Sequence, residues 1–371
     1  MMGASTKRVT PKRSQLAVVL GTAALLMLTS IALPTSAVAA PDDDWIWAVA
    51  RYPSSQHGYR IEKRSKDANA SNRDNPAVVF EGISKGRSLI TTFWDDRFKP
   101  LQGNAQVTAL TGGAGICTID FWDPGLARLD IGVNCFNRSG QRRKIPFSVS
   151  FVEVHGISGD IGYIFAEKPS EPAYTPWPIY NHNADGGPNT IQRSSVGRYE
   201  VTFPGLTAGG TAQVSAYGGA AVACGVAGIA DSGPDVVVGV TCRDHKAQLK
   251  DYRFSALYLA EAGPKGDGGK RWAYLHAHKP TRTSYVPKGA DRAQDPSGKP
   301  RVKRTKRGVY RVKLPNMSKG GAAHVTASGS GKQRCNVSRI KKSLPQTVDV
   351  RCFSGSGKRP ADSTFYLLYV K

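Results

Sequence analysis

The chain has 371 residues, and its 51 Lys and Arg against 28 Asp and Glu give a formal charge of +23. Forty glycines, 23 prolines and no sustained helical period exclude a helix bundle and favour short strands joined by turns. The fold class expected is all-β, and the length allows two or three domains.

Residues 1–39 have the three parts of a secretory signal peptide. Lys7, Arg8, Lys12 and Arg13 precede a largely apolar run from Leu16 to Leu33, and Ala37-Val38-Ala39 supplies small residues for cleavage after Ala39. An uncleaved anchor is the competing reading. No cysteine precedes Cys117, so a lipid-attachment cysteine is missing, and no later stretch is long and apolar enough to span a membrane. Six cysteines, an even number in an exported chain, predict three disulfides.

The cysteines disclose a repeat. Cys117 and Cys135 are 18 positions apart, Cys224 and Cys242 also 18, and Cys335 and Cys352 17. A similar strand precedes each first cysteine, with Val107, Val214 and Val325 aligned, and an alternating strand ends on each second one. Phe147, Phe254 and Phe365 follow, and Ala50, Ala166 and Ala277 align at the front. Between the second and third copies the offset holds at 111. The expected organisation is a signal peptide (1–39), repeat one (40–157), repeat two (158–262), a Gly-rich linker (263–270) and repeat three (271–371). Each repeat has about 100 residues and about seven strands, the size of an immunoglobulin-like β-sandwich. A β-propeller with two blades per repeat is the alternative. Repeat one carries an insertion, Trp94 to Lys99, that the others lack.

Charge is unevenly spread. Residues 271–371 hold 23 Lys and Arg against four Asp, whereas 158–270 hold nine against eleven acids. Arg301, Lys303, Arg304, Lys306, Arg307, Arg311 and Lys313 crowd around a predicted hairpin turn at Gly308. Such a concentration attracts polyanions, so these seven are the candidate polyanion-binding residues. No recognition helix or aromatic single-strand platform is evident, which argues against reading a nucleic-acid sequence. A second, weaker candidate is carbohydrate binding by Tyr174, Trp177, Tyr180 and Asn181 in a Pro-stiffened loop.

Chemistry is harder to find. Gly82-Ile83-Ser84-Lys85-Gly86 matches a nucleophile elbow, but that motif needs a strand, a sharp turn and a helix, and here another strand follows. His276-x-His278 would share one strand face, yet no third ligand follows at a suggestive spacing, so it reads as an edge pair. The pairs Asp95-Asp96 and Asp42-Asp43-Asp44 read as loop and terminus residues. The expectation is therefore no catalytic residue, no metal and no cofactor.

The pattern Ala-x-x-Pro, then Gly197-Arg198-Tyr199-Glu200-Val201 or Gly308-Val309-Tyr310-Arg311-Val312, then the cysteine pair, resembles uncharacterised secreted tandem β-repeat proteins of actinobacteria. That resemblance spans nearly all of the chain after residue 39 and implies export, repetition and β structure, but no activity. The function expected is a secreted or wall-associated binding or structural protein whose partner is an anionic extracellular polymer or an envelope component. A carbohydrate-binding protein and a secreted hydrolase or inhibitor are the alternatives.

Overall fold

The computed structural model describes residues 45–52, 59–61, 78–93, 102–124, 128–153, 157–264, 272–295, 297–329 and 332–371. The signal segment, the acidic pairs, the insertion at 94–99 and linker residues 265–270 lie outside them. Every sheet is open, and the three repeats are β-sandwiches, so the propeller alternative is set aside.

Each unit pairs a small inner sheet with a five-stranded outer sheet. The inner sheet of unit one orders Trp45–Ala50, Phe147–Val152 and Asn104–Ala109. Units two and three repeat that order with Ile157–Ala166, Phe254–Pro264 and Thr211–Ala216, and with Trp272–Ala277, Thr364–Val370 and Ala322–Ser328. Gly263 and Pro264, where the Gly-rich segment starts, still pair with Ser158 and Ile157. The outer sheet of unit three runs Ser284–Tyr285, Arg301–Lys306, Val309–Leu314, Gln346–Phe353 and Arg334–Lys341. Its strands alternate: Val302, Tyr310, Val312, Val348 and Val350 are buried, while Lys303, Arg311 and Lys313 point the other way. One apolar and one wet face is how an antiparallel sheet covers a core.

The inner strands behave differently, because they are buried on both faces. Trp45–Ala50, Asn104–Ala109, Phe147–Val152 and Thr211–Ala216 are buried at every residue. One face meets the unit's own outer sheet; the other meets the neighbouring units. The strands carrying Val107, Val214 and Val325 touch one another pairwise. The Val107 amide donates to Ser215 Oγ at 2.9 Å, the Val214 amide to Thr326 Oγ1 at 3.1 Å, and the Val325 amide to Thr108 Oγ1 at 3.2 Å. Thr108, Ser215 and Thr326 are equivalent positions, so one contact is made three times: unit one to two, two to three, three to one. A head-to-tail contact that returns to its start closes a ring.

A second ring of contacts lies beside the first. The Gly218 amide donates to Ile119 O at 2.7 Å, Gly329 to Val226 O at 2.9 Å and Thr111 to Val337 O at 2.8 Å. The parallel bridges Ile119 to Tyr217, Val226 to Ser328 and Leu110 to Val337 accompany them. Three repeats of one chain therefore surround a pseudo-threefold axis. The largest buried cluster draws on all three, with Trp45 and Trp47, Tyr163 and Leu257, and Tyr274 and Leu367.

The three disulfides form as expected, Cys117–Cys135, Cys224–Cys242 and Cys335–Cys352. Their Cα atoms are 4.1, 4.0 and 4.0 Å apart, closer than a generic bridge, because each pair sits directly opposite across a hairpin. The second cysteine turns its backbone outward, its amide donating to the carbonyl of Gly86, Gly197 or Gly308. These turn glycines adopt φ of +73°, +65° and +64°, and a Cβ there would meet the cysteine carbonyl at 2.7, 2.7 and 2.5 Å. Gly86 is thus explained by the turn, and Ser84 lies in strand–turn–strand context. Opening one bridge should cost about 3 kcal/mol on the chain-entropy account. Melting with and without reductant reads this; an unchanged Tm would mean the hairpins hold their register unaided.

Candidate functional site

The seven predicted cations lie on one hairpin of unit three, but they do not have the same role. Arg304 points its guanidinium at Asp362, with Nε to Oδ1 and Nη2 to Oδ2 both at 2.9 Å. Asp362 also accepts from the Gly308 amide at 2.8 Å and from the Tyr310 hydroxyl at 3.1 Å. The Arg304 hydrogen bond holds the Asp362 carboxyl below the usual carboxylate range. Unit two builds the same group from Arg193, Asp251, Gly197 and Tyr199. Arg304 therefore closes the turn, its guanidinium engaged by Asp362. Arg311 is likewise committed, its Nε donating to Asp349 Oδ1 at 2.7 Å.

Arg301, Lys303, Lys306, Arg307 and Lys313 remain. All five are exposed, and among the described residues none has a carboxylate at ion-pair distance. At the equivalent positions, 111 residues earlier, unit two carries Thr190, Gln192, Ser195, Val196 and Thr202. The sandwich thus forms equally well without charge there. Across the same outer face Arg311 and Arg339 lie in register with Asp349, and Lys313 and Lys341 with Thr347. Among the described residues one carboxylate, Asp349, lies amid these cations, and Arg311 and Lys341 already reach it.

A cavity of about 80 Å³ opens on the pseudo-threefold axis, lined by Val107, Val214, Val325 and the first cysteine of each pair. Its wall includes Arg334, which is 6 % exposed and whose three guanidinium nitrogens lack a hydrogen-bond partner among the described residues. Burial pulls its pKa down to about 10. Ile116 and Ala223 hold the equivalent positions, so the guanidinium belongs to unit three alone. A buried charge without a partner is costly, and an anion in the cavity would relieve it.

The four residues of the aromatic loop divide between packed and open side chains. Tyr180 stands edge-on to Trp122 at 5.8 Å and to Phe165 at 5.5 Å, filling the junction of units one and two. Asn181 is used internally, donating to Asn189 O at 2.9 Å and accepting from its side chain at 2.6 Å. Tyr174 is half-buried and accepts from the Lys168 amide. Only Trp177, 54 % exposed, keeps an open ring among these four. Tyr180 and Asn181 are engaged within the fold, a distinction that loop composition cannot make.

Sequence reasoning passed over Asp362 and Arg334. Asp362 lies 58 residues from Arg304, although the repeated Asp251 offered a signal; Arg334 differs from its counterparts only by being charged. The chain matches no protein-family model, no curated protein and no solved structure. Among the described residues no helix is long and apolar enough to cross a membrane.

Proposed function

We propose that this is an exported, non-enzymatic binding or envelope-associated structural protein whose third unit holds an anionic polymer. The observation that carries the reading is the set Arg301, Lys303, Lys306, Arg307 and Lys313, exposed and uncompensated where unit two is neutral. Cations that the fold does not require, gathered on one sheet face, suit a repeating anion such as a wall polymer, extracellular nucleic acid or acidic polysaccharide. The unpartnered Arg334 adds a buried cation in the same unit. Three disulfides and the signal-like residues 1–39 support export.

The test is a salt series with the intact chain and linear polyphosphate or heparin as probe. Log K should fall linearly with log salt, by roughly 0.7 to 0.9 per phosphate contact. Replacing Lys303, Lys306, Arg307 and Lys313 with Gln should remove about three units of that slope and leave the Tm nearly unchanged. Arg304→Gln should do the reverse, lowering the Tm with little effect on slope. Affinity indifferent to salt would exclude the reading.

A further inference from the structure

The neutral expectation for His276-x-His278 rested on a missing third ligand, and the fold supplies one. Trp272–Ala277 carries His276, and His278 follows it; a 3-10 turn at Gly289–Asp291 brings Asp291 against both rings. Asp291 Oδ1 is 3.3 Å from His276 Nδ1, and Oδ2 is 3.1 Å from His278 Nδ1. One ligand atom from each residue falls within a common 4.8 Å. We propose that His276, His278 and Asp291 bind a divalent transition-metal ion of the zinc class through the two imidazole nitrogens and the carboxylate.

The distances suit that ion. Zinc takes nitrogen and oxygen at about 2.0–2.2 Å in a tetrahedron, whose ligand-to-ligand edges are then about 3.3–3.5 Å. The Nδ1 atoms of His276 and His278 lie 3.3 and 3.1 Å from the two oxygens of the Asp291 carboxylate, one oxygen each, close to that span. His276 Nδ1 hydrogen-bonds Asp291 Oδ1 at 3.3 Å, whereas His278 Nδ1 is shielded from solvent and makes no hydrogen bond to the carboxylate beside it. The support around the rings is also in place. His276 Nε2 lies 3.2 Å from Ser328 Oγ, and the ring stacks on Tyr366 at 4.2 Å with planes 17° apart. A hydrogen bond on the far nitrogen is how proteins orient a metal-bound imidazole. The three side chains are 22 %, 28 % and 36 % exposed, which leaves an approach for the ion and room for water as a fourth ligand.

The pseudo-threefold repeat supplies an internal control. At the positions of His276, His278, Asp291 and Ser328, unit two has Phe165, Glu167, Tyr180 and Tyr217. There Phe165, Tyr180 and Tyr217 form an aromatic plug with Trp122. Unit one has Val49 and Leu110 at the positions of His276 and Ser328. At the positions of His276, Asp291 and Ser328, unit two thus packs three aromatic rings where unit three carries nitrogen and oxygen donors. Packing does not require that exchange, and a bound metal accounts for it.

The intact chain, dialysed against a chelator, is titrated with Zn²⁺ by calorimetry, and with Co²⁺ to read its visible spectrum. One Zn²⁺ should bind per chain, Co²⁺ should give the intense bands of a tetrahedral site, and Zn²⁺ should raise the Tm. Asp291→Asn, nearly isosteric, should weaken binding at least as much as Ser328→Ala, for which loss of an outer partner predicts about 10- to 100-fold. Where His278→Ala melts early, the pair His276→Phe with Asp291→Tyr, which installs unit two's residues, gives the metal-free fold. Absence of saturable uptake overturns the site, as does equal Zn²⁺ affinity in the wild type and Asp291→Asn, since that places the ion on other histidines.

Discussion

The chain from residue 45 onward should melt in one cooperative transition, and residues 271–371 expressed alone should not keep the native inner sheet. Tandem sandwiches joined by linkers normally unfold separately, but here the inner sheets share one core. Isolating unit three would strip the Val325 amide of Thr108 and expose Tyr366, which packs into the core of unit two. It would also remove Trp47 and Leu257 from the cluster around Tyr274 and Leu367. Each such side chain is worth roughly 1.5–3 kcal/mol when buried, so a handful exceeds the whole stability of a 100-residue domain. Calorimetry of the intact chain should give one endotherm whose calorimetric and van't Hoff enthalpies agree. Three endotherms, or a fragment 271–371 melting with the whole chain, would show independent domains instead. The same dependence means that polyanion and metal binding have to be measured on the intact protein.

What the amino-acid sequence discloses follows a physical line. The outer sheets were legible, because Tyr310-Arg311-Val312-Lys313 alternates across a wet and a dry face and the cysteines mark the hairpins. The ring was not. Gln106 and Thr108, or Gln213 and Ser215, alternate with apolar residues just as a solvent-facing row would, yet all four are buried. Their hydrogen bonds to other units reach residues 108 to 217 positions away, a separation at which local pattern carries no signal. The same limit governs the sites. Lys303 and Arg304 are neighbours with the same charge, and only the distant Asp362 separates a solvated cation from a turn-closing one. His276 and His278 were visible as a pair, while Asp291 reaches them through a 3-10 turn. Repetition helped most where copies differ, since a charged residue at a position that its counterparts leave neutral must answer to something other than the fold.

His324 shows that difference inside the core, and His324→Gln should both raise the Tm and flatten the acid limb of stability. In the ring, Gln106 Oε1 accepts from Ser215 Oγ at 2.8 Å and Gln213 Oε1 from Thr326 Oγ1 at 2.9 Å. The third equivalent position is His324, 1 % exposed, and neither ring nitrogen has a hydrogen-bond partner among the described residues. Burial pushes its pKa down to about 3. In the unfolded chain an imidazole titrates near 6.5, so between those values the unfolded state binds about one proton more. Stability is complete above about pH 6.5 and falls as the pH drops toward 3, by up to about 1.4 kcal/mol per pH unit from this one group. Asp251 and Asp362 also have lowered pKa values, each first through its arginine hydrogen bond, so their contributions are lost only below about pH 4. From about pH 6 to 4.5 the slope therefore comes from imidazoles and from Glu167, whose carboxyl burial pushes up, and only the His324 share changes in the variant. His276, which burial also lowers, retains its share of the slope in the variant. Gln at 324 restores the acceptor that the other two units present and cannot titrate. Urea unfolding across that interval should give a shallower slope for His324→Gln than for the wild type; equal slopes would mean that His324 keeps its proton in the folded ring and that a partner there stabilises the charge.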